Sequence, residues 1–107
     1  MNNSKVTFIL HKPQLSENIG ACARAIKNFN FQKLYLIDPK PVFPNDKILA
    51  TSVGAKDIIK KSKVFNNLES SLGDIDILIA TSARFRNKNV KHINLDDLKK
   101  IDFRKKI

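Results

Sequence analysis

Residues Lys5 to Asp38, KVTFILHKPQLSENIGACARAIKNFNFQKLYLID, contain the alternation of patterns that determines the class of the fold. KVTFIL is a β-branched and aromatic run typical of a buried strand, and KLYLID has the same character. Between them, apolar residues recur at helical spacing up to Phe29, and Ser16 is the predicted N-cap of this helix. Strand, helix and strand in this order predict two parallel strands connected by a helix.

The rest of the chain continues the alternation with shorter elements. They are a helix over Lys47–Ser52 capped by Asn45 or Asp46, a weak strand over Lys63–Phe65, a short helix over Asn67–Leu72, the strongest strand pattern at Ile75–Ser82, and a last amphipathic piece capped by Asn94. The continuous apolar runs predict an α/β fold, with a Rossmann-like parallel sheet flanked by helices. We expect one domain over residues 1–107, with a basic tail at 87–107.

The charge balance is strongly basic. The chain carries 20 Lys and Arg residues against 10 Asp and Glu residues, a formal net charge of +10, and residues 84–107 alone hold nine basic and three acidic residues. Such a field attracts polyanions, and RNA or DNA is the usual one. Basic surfaces also serve solubility, and an AT-biased genome also produces a composition rich in Lys, Asn and Ile. Charge alone therefore leaves both interpretations open.

Several classes of function lack their sequence signals. No apolar run is long enough to span a membrane, so no membrane contact is expected. The single cysteine, Cys22, excludes an internal disulfide and a cysteine-based zinc site, which favours a reducing, cytoplasmic setting. The sequence has no metal-ligand cluster, no paired-carboxylate signature and no serine nucleophile elbow. It also has no glycine-rich phosphate loop, which argues against a small-molecule-binding module of flavodoxin-like or Rossmann-like type.

Ligands of open α/β sheets usually bind beyond the carboxyl ends of the strands. The loops predicted at that edge are His11 to Ser16, Asp38 to Pro41, and Thr81 to Arg86. In the last loop, Thr81 and Ser82 can hydrogen-bond a ligand, while Arg84 and Arg86 can bind phosphate. The alternative explanation of the hydroxyl pair is an ST-turn that ends a strand.

Arg24, within the predicted first helix, is a second candidate. Its guanidinium group could reach a phosphate or a ribose held at the same edge. The alternative is that Arg24 pairs with a surface acid and that Asn18 merely assists the helix cap.

Three stretches together resemble the N-terminal part of the SpoU/TrmH-type RNA 2′-O-ribose methyltransferases of the SPOUT superfamily, and among these the TrmJ-like tRNA/rRNA enzymes. The stretches are FILHKPQLSENIGACARAIKNFNFQKLYLIDP, ATSVGAKDII and DILIATSARFR, which follow in the order and at the spacing of that family. They cover most of the chain up to Arg86. The first stretch is the most specific, since few unrelated proteins combine PQ, NIGACARA and NF before a second strand.

The resemblance implies an S-adenosylmethionine-dependent enzyme that methylates a ribose of tRNA or rRNA. The catalytic Asn and Arg of the family motif correspond to Asn18 and Arg24, and the family arginine is implicated in activating the ribose 2′-hydroxyl. A guanidinium group is a poor base, so orienting the ribose or neutralising a phosphate are alternative roles. The resemblance places Thr81, Ser82 and Ala83 at the edge of the S-adenosylmethionine pocket. The candidate RNA-binding residues are Lys12, Arg24, Lys27, Arg84 and Arg86.

The family builds its cofactor site in a C-terminal trefoil knot, from FGxExxGL-like, apolar-proline and SLNLS-like segments. None of these segments occurs in the 107 residues. The resemblance therefore implies a SPOUT (α/β knot) fold without its C-terminal knot. Two possibilities follow: an enzyme whose cofactor site lies beyond this chain, or a non-catalytic RNA-binding remnant or subunit that needs a separate C-terminal half. An open flank at Ile75–Ser82 also predicts a homodimer or a partner chain supplying the knot, unless the tail covers that edge.

Overall fold

The computed structural model describes residues 3–81, 94–102 and 104–107. The described elements, in chain order, are a 3-10 helix at Asn3–Lys5, β1 (Thr7–His11), α1 (Ser16–Asn28), β2 (Lys33–Ile37), α2 (Asp46–Thr51), α3 (Lys56–Lys61), β3 (Lys63–Phe65), α4 (Leu68–Ser71) and a 3-10 helix at Leu95–Lys100. The predicted alternation of strands and helices is confirmed from β1 to α4. Helix α3 is an addition, because the sequence predicted no helix or strand between the helix at Lys47–Ser52 and the strand at Lys63–Phe65.

The described strands form one parallel sheet with β2 in the centre and β1 and β3 on either side. In this register Phe8 and Leu10 of β1 lie beside Leu34 and Leu36 of β2, respectively. Val64 of β3 lies beside Leu36. Since side chains alternate between the faces of a strand, these residues share one face. The predicted α/β class with a parallel sheet flanked by helices is confirmed.

The hydrophobic core lies between this face and the layer formed by α1, α2 and α3. Its buried members are Ile19, Ala23, Ile26, Leu34, Leu36, Ile48, Ala55, Ile58 and Ile59. The other face is covered more thinly. Ile37 is buried there, but Tyr35 and Phe65 are only half-buried, with ring centroids 5.2 Å apart. Helix α1 is therefore positioned by its contacts with α2 and α3 as well as by the sheet.

The predicted caps of α1 and α2 have different outcomes. Leu15, not Ser16, is the N-cap of α1, and it makes no side-chain capping bond. Ser16 is the first helical residue, and its hydroxyl accepts a hydrogen bond from Asn45 Nδ2 at 3.0 Å. Asn45 caps α2 as predicted, since its Oδ1 accepts from the backbone N–H of Ile48 at 2.8 Å. The prediction for Ser16 was wrong because this hydroxyl connects two helices instead of capping one.

The predicted strand at Ile75–Ser82 is not a strand in its described part, residues 75–81. The backbone N–H groups of Asp76 and Ile77 both donate to the carbonyl oxygen of Lys106, at 2.8 and 3.1 Å. Leu78 is 51% exposed. The apolar pattern therefore overestimated the order of this segment, because an apolar run becomes a strand only where a ladder partner is available.

The last residues of the chain occupy the beginning of the outer edge of β1. The backbone N–H of Ile107 donates to the carbonyl of Lys5 at 2.9 Å, and its carbonyl accepts from the N–H of Thr7 at 2.6 Å. Lys5 Nζ donates to the carbonyl of Arg104 at 2.8 Å. The end of the predicted basic tail thus contacts the sheet at the outer edge of β1.

Candidate functional site

Four contacts set α1 in register with the two short helices that follow β2. From the beginning of α1 to its end, the pairs are Ser16 with Asn45, Glu17 with Lys47, Gly20 with Thr51, and Lys27 with Asp57. Because both residue numbers rise together, residues 45–61 run alongside α1 in the same direction. Arg24 lies between the last two pairs. Along the axis of α1 it is therefore at the level of residues 52–56, where α2 ends and α3 begins.

Gly20 makes the closest of these contacts possible. A Cβ atom at this position would lie 2.8 Å from Thr51 Cβ and 2.9 Å from the Thr51 carbonyl carbon. Both separations are well below van der Waals contact between carbon atoms. A side chain here would therefore push α2 away from α1, and the relation of Arg24 to the α2–α3 junction depends on this glycine.

Two ion pairs hold the ends of the same interface. Lys27 Nζ lies 2.7 Å from Asp57 Oδ2, and Lys47 Nζ lies 3.2 Å from Glu17 Oε1. The hydrogen bond from Lys27 lowers the pKa of Asp57. The pKa of Glu17 is lowered first by a hydrogen bond from its own backbone N–H and then by Lys47. These side chains are partly exposed, so the two ion pairs add little to the stability of the fold. They show the direction in which α2 and α3 run along α1.

Arg24 is exposed, and among the described residues its side chain makes no hydrogen bond and no ion pair. Lys27, one turn further along the same helix, is bonded to Asp57. The pairing of Arg24 with a surface acid, which the sequence left open, therefore has no support within the described residues. Within the part of the chain that the structure describes, its guanidinium group is unpaired and exposed.

Asn18 is also exposed, and within the described residues its side chain makes no capping bond to α1. Six residues separate it from Arg24, which corresponds to roughly 9 Å along the helix axis and about 120° around it. The two predicted catalytic residues are therefore on one helix but not on one face, and no contact joins them. Their catalytic roles stay predictions.

Lys12 lies where the sequence predicted, at the carboxyl end of β1, and it is exposed. Its backbone adopts a left-handed conformation with φ 53°, and its N–H donates to the carbonyl of Ile37 at 2.7 Å. The N–H of Lys40 donates to the carbonyl of Pro13 at 2.9 Å. Two of the three loops predicted at this edge are thus connected to each other. Lys27, another predicted RNA-binding residue, has its ammonium group engaged by Asp57.

Thr81 is exposed at the end of the described segment 75–81. Ser82, Ala83, Arg84 and Arg86 lie outside the described residues, so their predicted roles stay predictions. Thr81 lines neither of two concave regions of the described surface, one at the α2–α3 junction and one beside Lys5 and Thr7. Its predicted place at the edge of an S-adenosylmethionine pocket stays a prediction.

The larger concave region is a depression of about 510 Å³ at the α2–α3 junction. Its lining residues are Leu49, Ala50, Val53, Gly54, Lys56 and Asp57. Gly54 has φ 76°, the left-handed conformation that turns the chain from α2 into α3. The sequence analysis missed this site. The available signal was SVGAKD, an apolar residue exposed beside a glycine turn, which reads equally well as an ordinary loop.

Neither a metal site nor a membrane-spanning helix is found in the part of the chain that the structure describes. No group of three or more His, Cys, Asp or Glu residues there could hold a metal ion. No helix there combines the length and the apolar character needed to cross a bilayer. Burial raises the pKa of the half-buried Cys22 thiol, which disfavours the reactive thiolate.

Comparison with known proteins gives a consistent result. The model of the SpoU rRNA methylase family matches residues 5–107. The chain is 34% identical over 89 residues to the tRNA (cytidine-2′-O-)-methyltransferase TrmJ of Methanocaldococcus jannaschii, which covers 82% of this chain and 38% of the relative. It is 42% identical over 85 residues to the uncharacterised tRNA/rRNA methyltransferase LasT of Escherichia coli, covering 78% of this chain and 36% of the relative.

Solved structures agree. The crystal structure of TrmJ from Z. mobilis superposes with a TM-score of 0.73 at 34% identity, covering 76% of this chain and 36% of the other. A probable methylase family protein from Haemophilus influenzae gives a TM-score of 0.73 at 33% identity, covering 78% and 35%. The chain thus spans little more than a third of the length of the relatives that it matches.

Proposed function

This chain belongs to the SpoU rRNA methylase family, and from that premise we propose that it forms part of an RNA 2′-O-ribose methyltransferase acting on tRNA or rRNA. One observation carries the proposal. Arg24 is exposed without a partner among the described residues, on a helix whose position is fixed by four contacts to α2 and α3. An exposed cation on a fixed helix, unpaired within the described residues, is suited to an anionic ligand.

Arg24 is the residue that we assign to the ribose. Its planar guanidinium group offers several donors in a fixed arrangement, suited to hold a 2′-hydroxyl or the adjoining phosphate in one orientation. Asn18 is roughly 9 Å away along the helix, so we assign it to a neighbouring part of the RNA strand rather than to the same hydroxyl. Lys12, at the carboxyl edge of the sheet, adds a phosphate contact.

S-adenosylmethionine is the methyl donor that family membership implies. Thr81 lines neither of the two concave regions described above, and the chain spans little more than a third of the two curated relatives. We therefore assign donor binding to the part of the relatives' length that this chain does not span. The same two observations favour a second candidate function, an RNA-binding subunit without methyl transfer of its own.

One experiment separates the two candidates. Binding of unmodified tRNA is measured at several salt concentrations, together with transfer of a radiolabelled methyl group from S-adenosylmethionine to that tRNA. We expect binding that weakens steeply with salt, as counterion release requires, and that falls about tenfold in Arg24→Ala. Arg104→Ala, which removes an exposed arginine outside α1, serves as the matched control and should have a smaller effect.

Each outcome distinguishes between the enzyme and the RNA-binding subunit or contradicts both. Binding with Arg24-dependent methyl transfer supports the enzyme, and binding without transfer supports the subunit. The absence of salt-dependent tRNA binding would contradict both, and equal losses in the two arginine variants would remove Arg24 from the site.

We also propose that the chain associates with a second copy or with a partner chain, in the cytoplasm. Among the described residues, the edge of β1 that faces away from β2 is bonded only by Ile107, at Lys5 and Thr7. An open strand edge of this kind favours pairing with another chain. Light scattering on the same samples reports the assembly.

A further inference from the structure

The depression at the α2–α3 junction has the composition of a ligand site. Leu49, Ala50 and Val53 supply apolar walls, and Lys56 and Asp57 supply polar groups. Small-molecule and nucleotide sites usually combine such walls with a few polar groups. Val53 is 67% exposed, so its apolar surface is open at the mouth of the depression.

The depression adjoins the interface between α1 and α3, because Asp57, one of its lining residues, bonds to Lys27 of α1. Gly20, Arg24 and Lys27 fall within about 60° of one another around α1. Gly20 contacts Thr51 at the end of α2, and Lys27 bonds to Asp57 in α3. Arg24 is therefore on the side of α1 that is turned toward the junction, between a contact with α2 and a contact with α3.

The charges around the depression indicate the kind of partner. Lys56, Lys60 and Lys61 of α3 are exposed, and within the described residues they make no ion pair. Asp57, the acidic residue of α3, is compensated by Lys27. A second copy of a chain with net charge +10 would be repelled here, whereas a polyanion would be attracted.

We propose that the depression is a nucleobase subsite for the RNA strand whose ribose or phosphate contacts Arg24. In this arrangement the base packs against Val53 and Leu49. Its polar edge meets Asp57, which accepts from amino groups, or Lys56, which donates to ring nitrogens and carbonyl groups. The inference rests on the proposed RNA function and adds to it a site that selects the base.

The test compares a short single-stranded RNA with its abasic counterpart, which keeps every phosphate and ribose. The full chain should bind the base-containing strand about tenfold more tightly, because the abasic strand loses the contacts with the apolar walls and the polar groups of the depression. Val53→Asp should reduce this ratio to near one. Val42→Asp is the matched control, because Val42 is 80% exposed and lies outside the depression, and it should keep the ratio.

A second pair of variants avoids the introduced negative charge. Lys56→Gln should lower the ratio, whereas Lys99→Gln, an exposed lysine outside the depression, should not. Equal ratios in all variants, or no preference of the parent chain for the base-containing strand, would overturn the subsite while leaving salt-dependent RNA binding intact. Loss of all RNA binding by the parent chain would instead contradict the proposed function. A change of oligomeric state in Val53→Asp would show a contact between copies and overturn the subsite.

Discussion

Helix α1 and residues 75–81 are both apolar in sequence, but they differ in how the structure holds them. α1 is fixed along its length by a hydrogen bond, two ion pairs and the glycine contact with α2, in addition to its buried face. Within the described residues, residues 75–81 are bonded to the end of the chain only at Lys106, by two backbone hydrogen bonds and one to the Asp76 carboxylate, and Leu78 remains half-exposed. An apolar pattern indicates which residues could be buried, and the contacts with other segments decide which of them are buried.

The difference bears directly on the candidate site. Arg24 is on the segment with many partners, so its direction relative to α2 and α3 is defined. Thr81 is on the segment with fewer partners among the described residues, and the predicted position of Arg24 and the Thr81–Ser82 pair at the same edge of the sheet stays a prediction. The better-founded part of the site is accordingly the helical layer, not the end of the predicted last strand.

The largest effect that we expect comes from breaking the α1–α2 contact. Gly20→Ala places a methyl group against Thr51 and should lower the free energy of unfolding by about 2 kcal/mol, the usual cost of overpacking a fixed interface. Gly73→Ala is the control, because a Cβ atom there would meet nothing within 4 Å and the backbone is not left-handed. Urea denaturation measures both.

Partial rescue would locate the cause. Thr51→Gly removes the side-chain part of the clash but not the contact with the backbone carbonyl carbon. The double variant should therefore recover part of the loss caused by Gly20→Ala. If Gly20→Ala and Gly73→Ala were equally stable, the register of α1 with α2 would not depend on Gly20.

The sequence predicted those features that depend on local pattern. β1, α1, β2 and β3 were found within one or two residues, because each has a continuous apolar run or a clear helical period. The cap at Asn45 was also found, since Asn is a preferred N-cap just before a short apolar helix.

Features that depend on distant partners were not predictable in the same way. Ser16 looks like a cap in sequence, but its hydrogen-bond partner is Asn45, 29 residues away. Residues 75–81 look like the strongest strand, but the backbone N–H groups of Asp76 and Ile77 bond to Lys106 and not to a strand of the sheet. The depression beside Gly54 requires two helices to meet, and a single sequence does not show which loop becomes concave. The position of Arg24 was predictable, whereas its lack of a partner was not.

A smaller effect sharpens the comparison between the helical layer and the end of the chain. Asn45 caps α2 and also donates to Ser16 and to the carbonyl of Val42, at 3.0 and 2.9 Å. Asn94 caps the last 3-10 helix in a reciprocal capping box with Asp97. Asn45→Ala should cost about 1–2 kcal/mol, as for a cap with additional tertiary bonds.

Asn94→Ala should cost less than about 0.5 kcal/mol, because its described partners are all within its own short helix. Urea denaturation of the two variants gives the difference directly. Equal losses would mean that residues 94–100 unfold together with the helical layer, and the contrast between the two regions would disappear.

The smallest effect concerns acid, and it uses two aspartates with different partners. The hydrogen bond from Lys27 lowers the pKa of Asp57, and the hydrogen bond from Arg104 lowers the pKa of Asp102 to about 2. A carboxyl group whose pKa is lower in the folded state stabilises the fold above its unfolded pKa of about 4, and this contribution is lost as the pH falls through the folded pKa. Only a difference in pKa between the folded and unfolded states changes the stability with pH.

Lys27 and Asp57 are 30 residues apart, so their bond requires the folded chain, whereas Arg104 is two residues from Asp102 and can bond it locally in the unfolded chain too. Asp57→Asn should therefore flatten the decline of stability below about pH 4, and Asp102→Asn should leave that decline unchanged. Urea denaturation between pH 6 and pH 2 tests both, and NMR titration of Asp102 should still give a pKa near 2. If Asp102→Asn flattened the decline of stability at low pH more than Asp57→Asn did, the assignment would be reversed. The acid sensitivity of the fold would then come from the end of the chain and not from the α1–α3 contact.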